Sequence, residues 1–340
     1  MENNHILLSV QDLHLHFRGR RQLARVLDGV SYEVRREETV CLVGESGCGK
    51  TVSALAILGL IPRPPGEIVS GDVMCKGKSL LRLPEEEMRQ IRGKHIAMVF
   101  QEPMTSLNPV FTVGDQIAEA IAVHENVDRA EIRRRCVKLL SDVGMPAAAE
   151  RLDDYPHQLS GGQRQRVMIA MALACNPEIV IADEPTTALD VTIQAQIVSL
   201  FSELQKKRRM SVLYITHDLG VVAGIADRIY VMYAGIIVEQ GDCSDIFRNP
   251  QHPYTRGLLD SLPDRSRRGE KLHSIPGQVP DPACKPGGCP FHPRCKLAVD
   301  TCRHVLPAMC DHGNGHLSRC PVLSAGLGKR NLHHVSGYVE

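Results

Sequence analysis

The stretch GESGCGKT, Gly44 to Thr51, sets three glycines, a lysine and a hydroxyl side chain at a spacing suited to phosphate. Glycines let backbone N–H groups curl around phosphate oxygens, and a helix starting there adds the positive end of its dipole. Lys50 is placed to reach β- and γ-phosphates, and the Thr51 hydroxyl to bind Mg²⁺. Gly44, Ser46, Gly47, Cys48 and Gly49 are the loop residues that would lie along the phosphates. A second stretch, EIVIADE (178–184), is an apolar run ending in Asp183 and Glu184. At the edge of an open α/β sheet, where ligands collect, Asp183 suits Mg²⁺ through water and Glu184 suits a general base. A third concentration is of thiols: six of the twelve cysteines fall between Cys284 and Cys320.

These residues need elements to hold them. Short β-branched runs alternate with longer amphipathic stretches, which predicts βα units around a largely parallel sheet. TVCLVG (39–44), HIAMVFQ (95–101), EIVIADE, SVLYITH (211–217) and DRIYVMYAG (227–235) read as strands. Thr51 to Leu60 reads as the helix after the glycine loop, and residues from about 112 to 175 carry helical spacing. Composition breaks near Asn249-Pro250, after which Pro, His and Cys accumulate with little periodicity. The predicted fold class is α/β: a P-loop NTPase core with a helical subdomain and a small irregular metal-binding C-terminal region.

A formal net charge of +1 on 340 residues gives no global pull toward nucleic acid or anionic lipid. MENNHILLSV lacks the basic start and long apolar core of a signal peptide, and no apolar run approaches a bilayer span. The first six cysteines are scattered singly, as thiols kept reduced are. A cytosolic chain is the expectation.

LSGGQRQR (159–166) resembles the signature motif of ABC ATPases. Gln101 after a strand resembles their Q-loop, Ala188-Leu189-Asp190 the D-loop and His217 the switch histidine, all in family order. Phe17 resembles the aromatic that stacks on adenine ahead of the P-loop, although a core phenylalanine fits the loose spacing as well. The resemblance implies two nucleotide-binding domains closing head to tail on ATP. Ser160, Gly161, Gly162, Gln163 and Asp190 would then join the ATP site, with Ser160, Gly161 and Gly162 meeting nucleotide held by the partner. Gln101 would join Thr51 and Asp183 around Mg²⁺, and Glu184 with His217 would drive hydrolysis. The phosphate-loop thiol of Cys48, near a helix start, is expected to have a lowered pKa. One departure is Glu37-Glu38, where relatives usually have Gly-Glu before the strand, so the geometry of that turn is in question.

QEPMTSLNP (101–109), YPHQLSGG (155–162), ADEPTTALDVTIQAQI (182–197) and HPYTRGLLDSLP (252–263) resemble the oligopeptide/dipeptide/nickel branch of bacterial ABC importers. That resemblance implies an ATPase that energises di- or oligopeptide uptake from the cytoplasmic face of the inner membrane. Its partners would be a sister ABC ATPase in a heterodimer, two permease subunits and an extracytoplasmic substrate-binding protein, with membrane contact through the permeases alone. Nickel, opine or metal-chelate cargo is the alternative. A non-transport ABC ATPase acting on nucleic acid fits less well, because a single near-neutral cassette offers no basic face. The domains expected are residues 1–250, with the helical subdomain at about 102–175, and a C-terminal region at 251–340.

In a cytosolic chain, clustered cysteines point to metal ligation rather than disulfides. Cys289-x5-Cys295-x6-Cys302-x17-Cys320 lacks a C-x-x-C knuckle, and its spacing suits Zn²⁺ and a [4Fe-4S] cluster about equally, with unligated structural thiols as the lesser alternative. The tails of many peptide-importer ATPases show a similar pattern, and that resemblance implies [4Fe-4S] on Cys289, Cys295, Cys302 and Cys320. Cys284 and Cys310 fall outside it. His292, His304, His312 and His316 lie nearby as further possible ligands.

Overall fold

A computed structural model of the chain describes residues 6–19, 22–102, 106–187, 189–262 and 274–324. Ala188 of the expected D-loop, residues 103–105 beyond Gln101 and the tail past Ser324 lie outside the described residues. The strands are β1 (Ile6–Arg18), β2 (Leu23–Arg35), β3 (Thr39–Val43), β4 (Gly66–Cys75), β5 (Lys78–Ser79), β6 (Ile96–Val99), β7 (Ile179–Asp183), β8 (Ser211–Thr216), β9 (Arg228–Tyr233), β10 (Ile236–Asp242), β11 (Cys310–Asp311) and β12 (Leu317–Ser318). The longer helices are α1 (Lys50–Ile57), α2 (Glu85–Ile91), α3 (Val113–Ala122), α4 (Arg129–Asp142), α5 (Gly161–Ala172), α6 (Val191–Arg208), α7 (Leu219–Val222), α8 (Cys243–Arg248) and α9 (Pro253–Asp260).

The chain divides into two compact units. One contains residues 35–38 and 82–214, and the other contains residues 6–34, 39–81 and the described residues from 215 onward. In the first unit, β6 and β7 pair in parallel from Ile96↔Ile179 to Val99↔Ala182. Every residue of β7 is buried, the pattern of a strand covered on both faces. Helices α3, α4 and α5 pack on one another. Each has a side chain at its start that satisfies otherwise orphaned amides. Thr112 caps α3 in a box with Asp115, Asp128 caps α4, and Ser160 caps α5 in a box with Gln163.

The second unit holds two strand groups. In one, the order is β2-β1-β4-β5, with β1 and β4 antiparallel from Leu8↔Cys75 to Phe17↔Gly66. In the other, β11-β12-β10-β9-β3 lie side by side, β3 and β9 parallel and the remainder antiparallel. The stretch expected as a strand over 227–235 holds β9, and Ala234 and Gly235 at φ 48° and 83° then reverse the chain into β10. A two-residue turn with both φ positive is the usual hairpin solution, but Ala-Gly does not advertise it as Asn-Gly does. One expectation is corrected here: the strands are not largely parallel throughout, because β1, β4 and β5 pair antiparallel in a layer that the polar residues along β1 conceal.

Candidate functional site

The phosphate-loop residues fall in a turn between β3 and α1. Gly44 must be glycine, because a Cβ there would stand 2.2 Å from the Met232 carbonyl oxygen. Gly49, at φ 107°, caps α1 and would drive a Cβ to 2.9 Å from Leu27. Gly47 at φ 80° has open space around it, so conformation rather than crowding selects glycine there. Ser46 is exposed and Thr51 half-buried. Lys50 is 4 % exposed, and its Nζ donates to the carbonyl oxygens of Gly44 at 2.7 Å and Glu45 at 3.1 Å. The lysine thus lies folded along its own loop.

Cys48 corrects an expectation. Its thiol is 1 % exposed, and burial pushes its pKa up despite the neighbouring Lys50. Desolvation of a thiolate outweighs the helix terminus and the ammonium together.

In the other unit, Asp183 ends β7 fully buried, and Glu184 follows at φ 44°, a left-handed conformation uncommon outside glycine. The Glu184 carboxylate accepts from Gln101 Nε2 at 3.1 Å and from the Thr187 hydroxyl at 3.0 Å. Sequence reasoning reached Gln101 but missed Thr187, whose only signal is its place three residues after the acid. Ser160 and Gln163 exchange hydrogen bonds at the start of α5 (2.9 and 3.4 Å). Gly162 would press a Cβ to 2.8 Å from Ile193, whereas Gly161 has room. Asp190 accepts from the Ile193 amide at 2.9 Å and so caps α6.

His217 stands exposed just beyond β8, and Phe17 is half-buried near the end of β1 opposite Gly66. Both belong to the same unit as the phosphate loop.

The four aligned cysteines, Cys289, Cys295, Cys302 and Cys320, line one small cavity, walled also by Phe291, His292 and Val322. Burial raises the thiol pKa of Cys289 and Cys320 and brings Cys295 to about 11. Among the described residues, however, no three His, Cys, Asp or Glu side chains stand close enough to hold a metal ion. The cysteines of the expected metal-binding region thus line one cavity, and among the described residues they are gathered but not drawn onto a common centre. A lone zinc needs Zn–S contacts of about 2.3 Å from all four. Cys284 and Cys310 do not line the cavity. His316 bonds to Glu239 at 2.8 Å and His312 to Ser318 at 2.8 Å, while His252 and His292 line the cavity, His292 with its Nδ1 2.9 Å from the Cys289 carbonyl oxygen.

The family pattern for ABC transporters matches residues 27–187, and that for the oligopeptide/dipeptide transporter C-terminal region matches residues 238–302. The dipeptide transport ATP-binding protein DppD of Escherichia coli is 51 % identical over 322 residues, covering 94 % of this chain and 98 % of that protein. The probable peptide ABC transporter ATP-binding protein y4tR of Sinorhizobium fredii is 51 % identical over 316 residues, covering 93 % of this chain and 94 % of that protein. This chain belongs to the ATP-binding subunits of the oligopeptide/dipeptide ABC importers. It is an ATPase subunit of a peptide importer, and it hydrolyses ATP as these cassettes do. Among solved structures, the dimeric ATP-binding cassette MJ0796 in a post-hydrolysis state with ADP and Pi superposes with a TM-score of 0.63 at 27 % identity, covering 69 % of this chain and 98 % of that one. No helix among the described residues is long and apolar enough to cross a membrane.

Proposed function

We propose that Gly44, Ser46, Gly47, Cys48, Gly49 and Lys50 hold the phosphates of ATP, that Thr51, Asp183 and Gln101 serve Mg²⁺, and that Glu184 polarises the attacking water with help from His217. The observation that carries this reading is the Glu184 carboxylate, held by Gln101 and Thr187 on a strained backbone at the end of a buried strand. A carboxylate so oriented is preorganised as a base. Ser160, Gly161 and Gly162, with Gln163 completing the cap, present a helix start suited to the γ-phosphate of ATP on a sister ATPase; Asp190 joins the ATP site from the start of α6, and Phe17 is assigned to adenine. Glu184→Gln is expected to cut hydrolysis by about 10²- to 10⁴-fold while nucleotide binding persists, the usual loss for a general base. Hydrolysis within a few-fold of the parent would remove Glu184 from that role.

The proposed assembly pairs this chain with a sister ATPase beneath two permeases at the cytoplasmic face of the inner membrane, with peptide delivered by a binding protein. Residues 1–250 form the cassette in this reading, those at about 102–175 receive the permeases, and residues 251–340 form an appended region. Val110 and Phe111, 72 % and 51 % exposed between Gln101 and α3, supply apolar surface for that contact.

Cys289, Cys295, Cys302 and Cys320 are proposed to hold a [4Fe-4S] cluster, which the shared cavity supports; Zn²⁺ is the alternative. Bound there, the group would cross-link a segment with little apolar core of its own. About four irons and four sulfides per chain in protein purified without oxygen would support it, and one zinc without sulfide would replace it.

A further inference from the structure

Glu45 is an awkward residue for its position. It is the second residue of the phosphate loop, and its carboxylate places negative charge in a turn whose task is to bind negative charge. Arg294, 249 positions later and immediately before Cys295, answers it. Its two terminal nitrogens donate to the Glu45 carboxylate at 2.6 and 3.0 Å.

The guanidinium is fixed before it meets Glu45. Its Nε donates to the Pro276 carbonyl at 2.8 Å, and a terminal nitrogen donates to the Ile275 carbonyl at 3.3 Å. Another reaches the Tyr233 hydroxyl at 3.3 Å, and the plane lies 5.7 Å from the Tyr233 ring centre and 5.9 Å from that of Phe291. The Arg294 side chain is 5 % exposed. Glu45 is held a second time through its backbone, since its amide donates to the Tyr254 hydroxyl at 2.8 Å. Tyr254 is wedged against Tyr233 and Phe291 with ring centres 4.6 and 5.4 Å away. The same Glu45 carbonyl receives Lys50 Nζ. One residue of the loop is thus fixed at its amide, its carbonyl and its carboxylate, and the carboxylate's partner comes from the cysteine-rich segment.

The geometry points to Arg294 as a positioning residue of the nucleotide site, neutralising Glu45 and fixing the phosphate loop from the C-terminal segment. It does not touch ATP in this role. Removing the guanidinium leaves an unmatched carboxylate beside the phosphates, whereas removing both charges leaves none. A merely structural staple has no such asymmetry, because its loss is the same from either side.

The inference rests on the phosphate-loop reading of residues 44–51 and is independent of what the cysteines hold. The test is steady-state ATP hydrolysis and equilibrium MgATP binding on full-length Arg294→Gln, Glu45→Gln and the double variant, with thermal melts alongside. Arg294→Gln should raise KM and Kd for MgATP at least about tenfold with kcat little changed, as one uncompensated charge within about 12 Å would do at an effective dielectric of about 20. Adding Glu45→Gln to it should recover most of that loss. If Arg294→Gln does not fold, Arg294→Lys serves instead: charge retained without the bidentate fork should raise KM by less than the tenfold expected of Arg294→Gln. Parent-like affinity in Arg294→Gln, a double variant no tighter than that single one, or a tenfold loss in Arg294→Lys would each overturn the inference. A parent protein hydrolysing ATP normally beside any of these results would leave the ATPase itself untouched.

Discussion

Cys48 shows how far a side chain's surroundings can reverse what its neighbours in sequence suggest. Its thiol sits in the phosphate loop beside Lys50, yet it is 1 % exposed and burial pushes its pKa up. A raised pKa leaves less thiolate at neutral pH, and the thiolate is the reactive form. In the folded protein a maleimide should therefore modify the exposed Cys284 well before Cys48, by at least about tenfold in rate, as peptide mapping by mass spectrometry will read. Equal rates would mean that the loop opens readily. The residues proposed to touch phosphate, magnesium and water were legible in the sequence because chemistry restricts their types and a short loop restricts their spacing. Thr187, Tyr254 and Arg294 were not. Tyr254 and Arg294 reach Glu45 across 209 and 249 positions, and nothing local marks a contact made at that separation.

Glu37, between β2 and β3, takes the left-handed conformation at φ 58° where a glycine would be at ease. The turn keeps its shape because its amide donates to Ser211 Oγ at 2.9 Å and its carbonyl accepts from Gln205 Nε2 at 2.6 Å. The Gly-to-Glu departure noticed in the sequence thus costs strain rather than geometry. Glu37→Gly should stabilise the protein by about 0.5 to 1 kcal/mol, the left-handed penalty less the extra unfolded-state entropy of glycine. Chemical denaturation will show the midpoint rising without a change in slope; a fall would mean the strain estimate has the wrong sign. The start of α9 is pH-sensitive. His252 is 1 % exposed, its Nδ1 accepts from the Tyr254 amide at 3.1 Å, and burial lowers its pKa from 6.5 to about 4. The unfolded chain binds this proton first, so stability from the neutral imidazole is full above about pH 6.5 and drains as pH falls toward about 4. The steepest loss is about 1.4 kcal/mol per pH unit. In His252→Gln, melts between pH 7 and 4 should show a shallower fall in Tm. Apolar runs disclosed the buried strands β3 and β7, but not β1, whose register shifts between Gln11 and His14 and whose polar residues mimic a loop.

In the unit that carries the phosphate loop, the C-terminal segment is sewn to the sheet by one buried acid. Glu239 in β10 is 0 % exposed and accepts from the amides of Gln251 at 2.5 Å and His252 at 2.9 Å and from His316 Nε2 at 2.8 Å. β12 pairs alongside it, Glu239 opposite Ser318. Glu239→Ala would strand three donors and should cost about 3 to 5 kcal/mol, since each buried donor left unsatisfied costs about 1 to 3 kcal/mol. A loss below about 1 kcal/mol in denaturant titration would show the segment held elsewhere. Composition alone marked where the Pro- and Cys-rich region starts. It could not show that the region returns to the sheet, because two-residue strands carry no periodicity. Spacing likewise brought Cys289, Cys295, Cys302 and Cys320 together but left the bound group open, since ligand distances are set by folding and not by intervals along the chain.

The distance in sequence between Glu45 and Arg294 also has a meaning in time. A ribosome working at about 5–20 residues per second needs at least about 12 s to cover the 249 residues between them. Through that interval the phosphate loop exists with its carboxylate unmatched. Vectorial synthesis therefore delivers the loop early and its counter-charge nearly last, so a nascent or prematurely terminated chain carries a weakened grip on nucleotide.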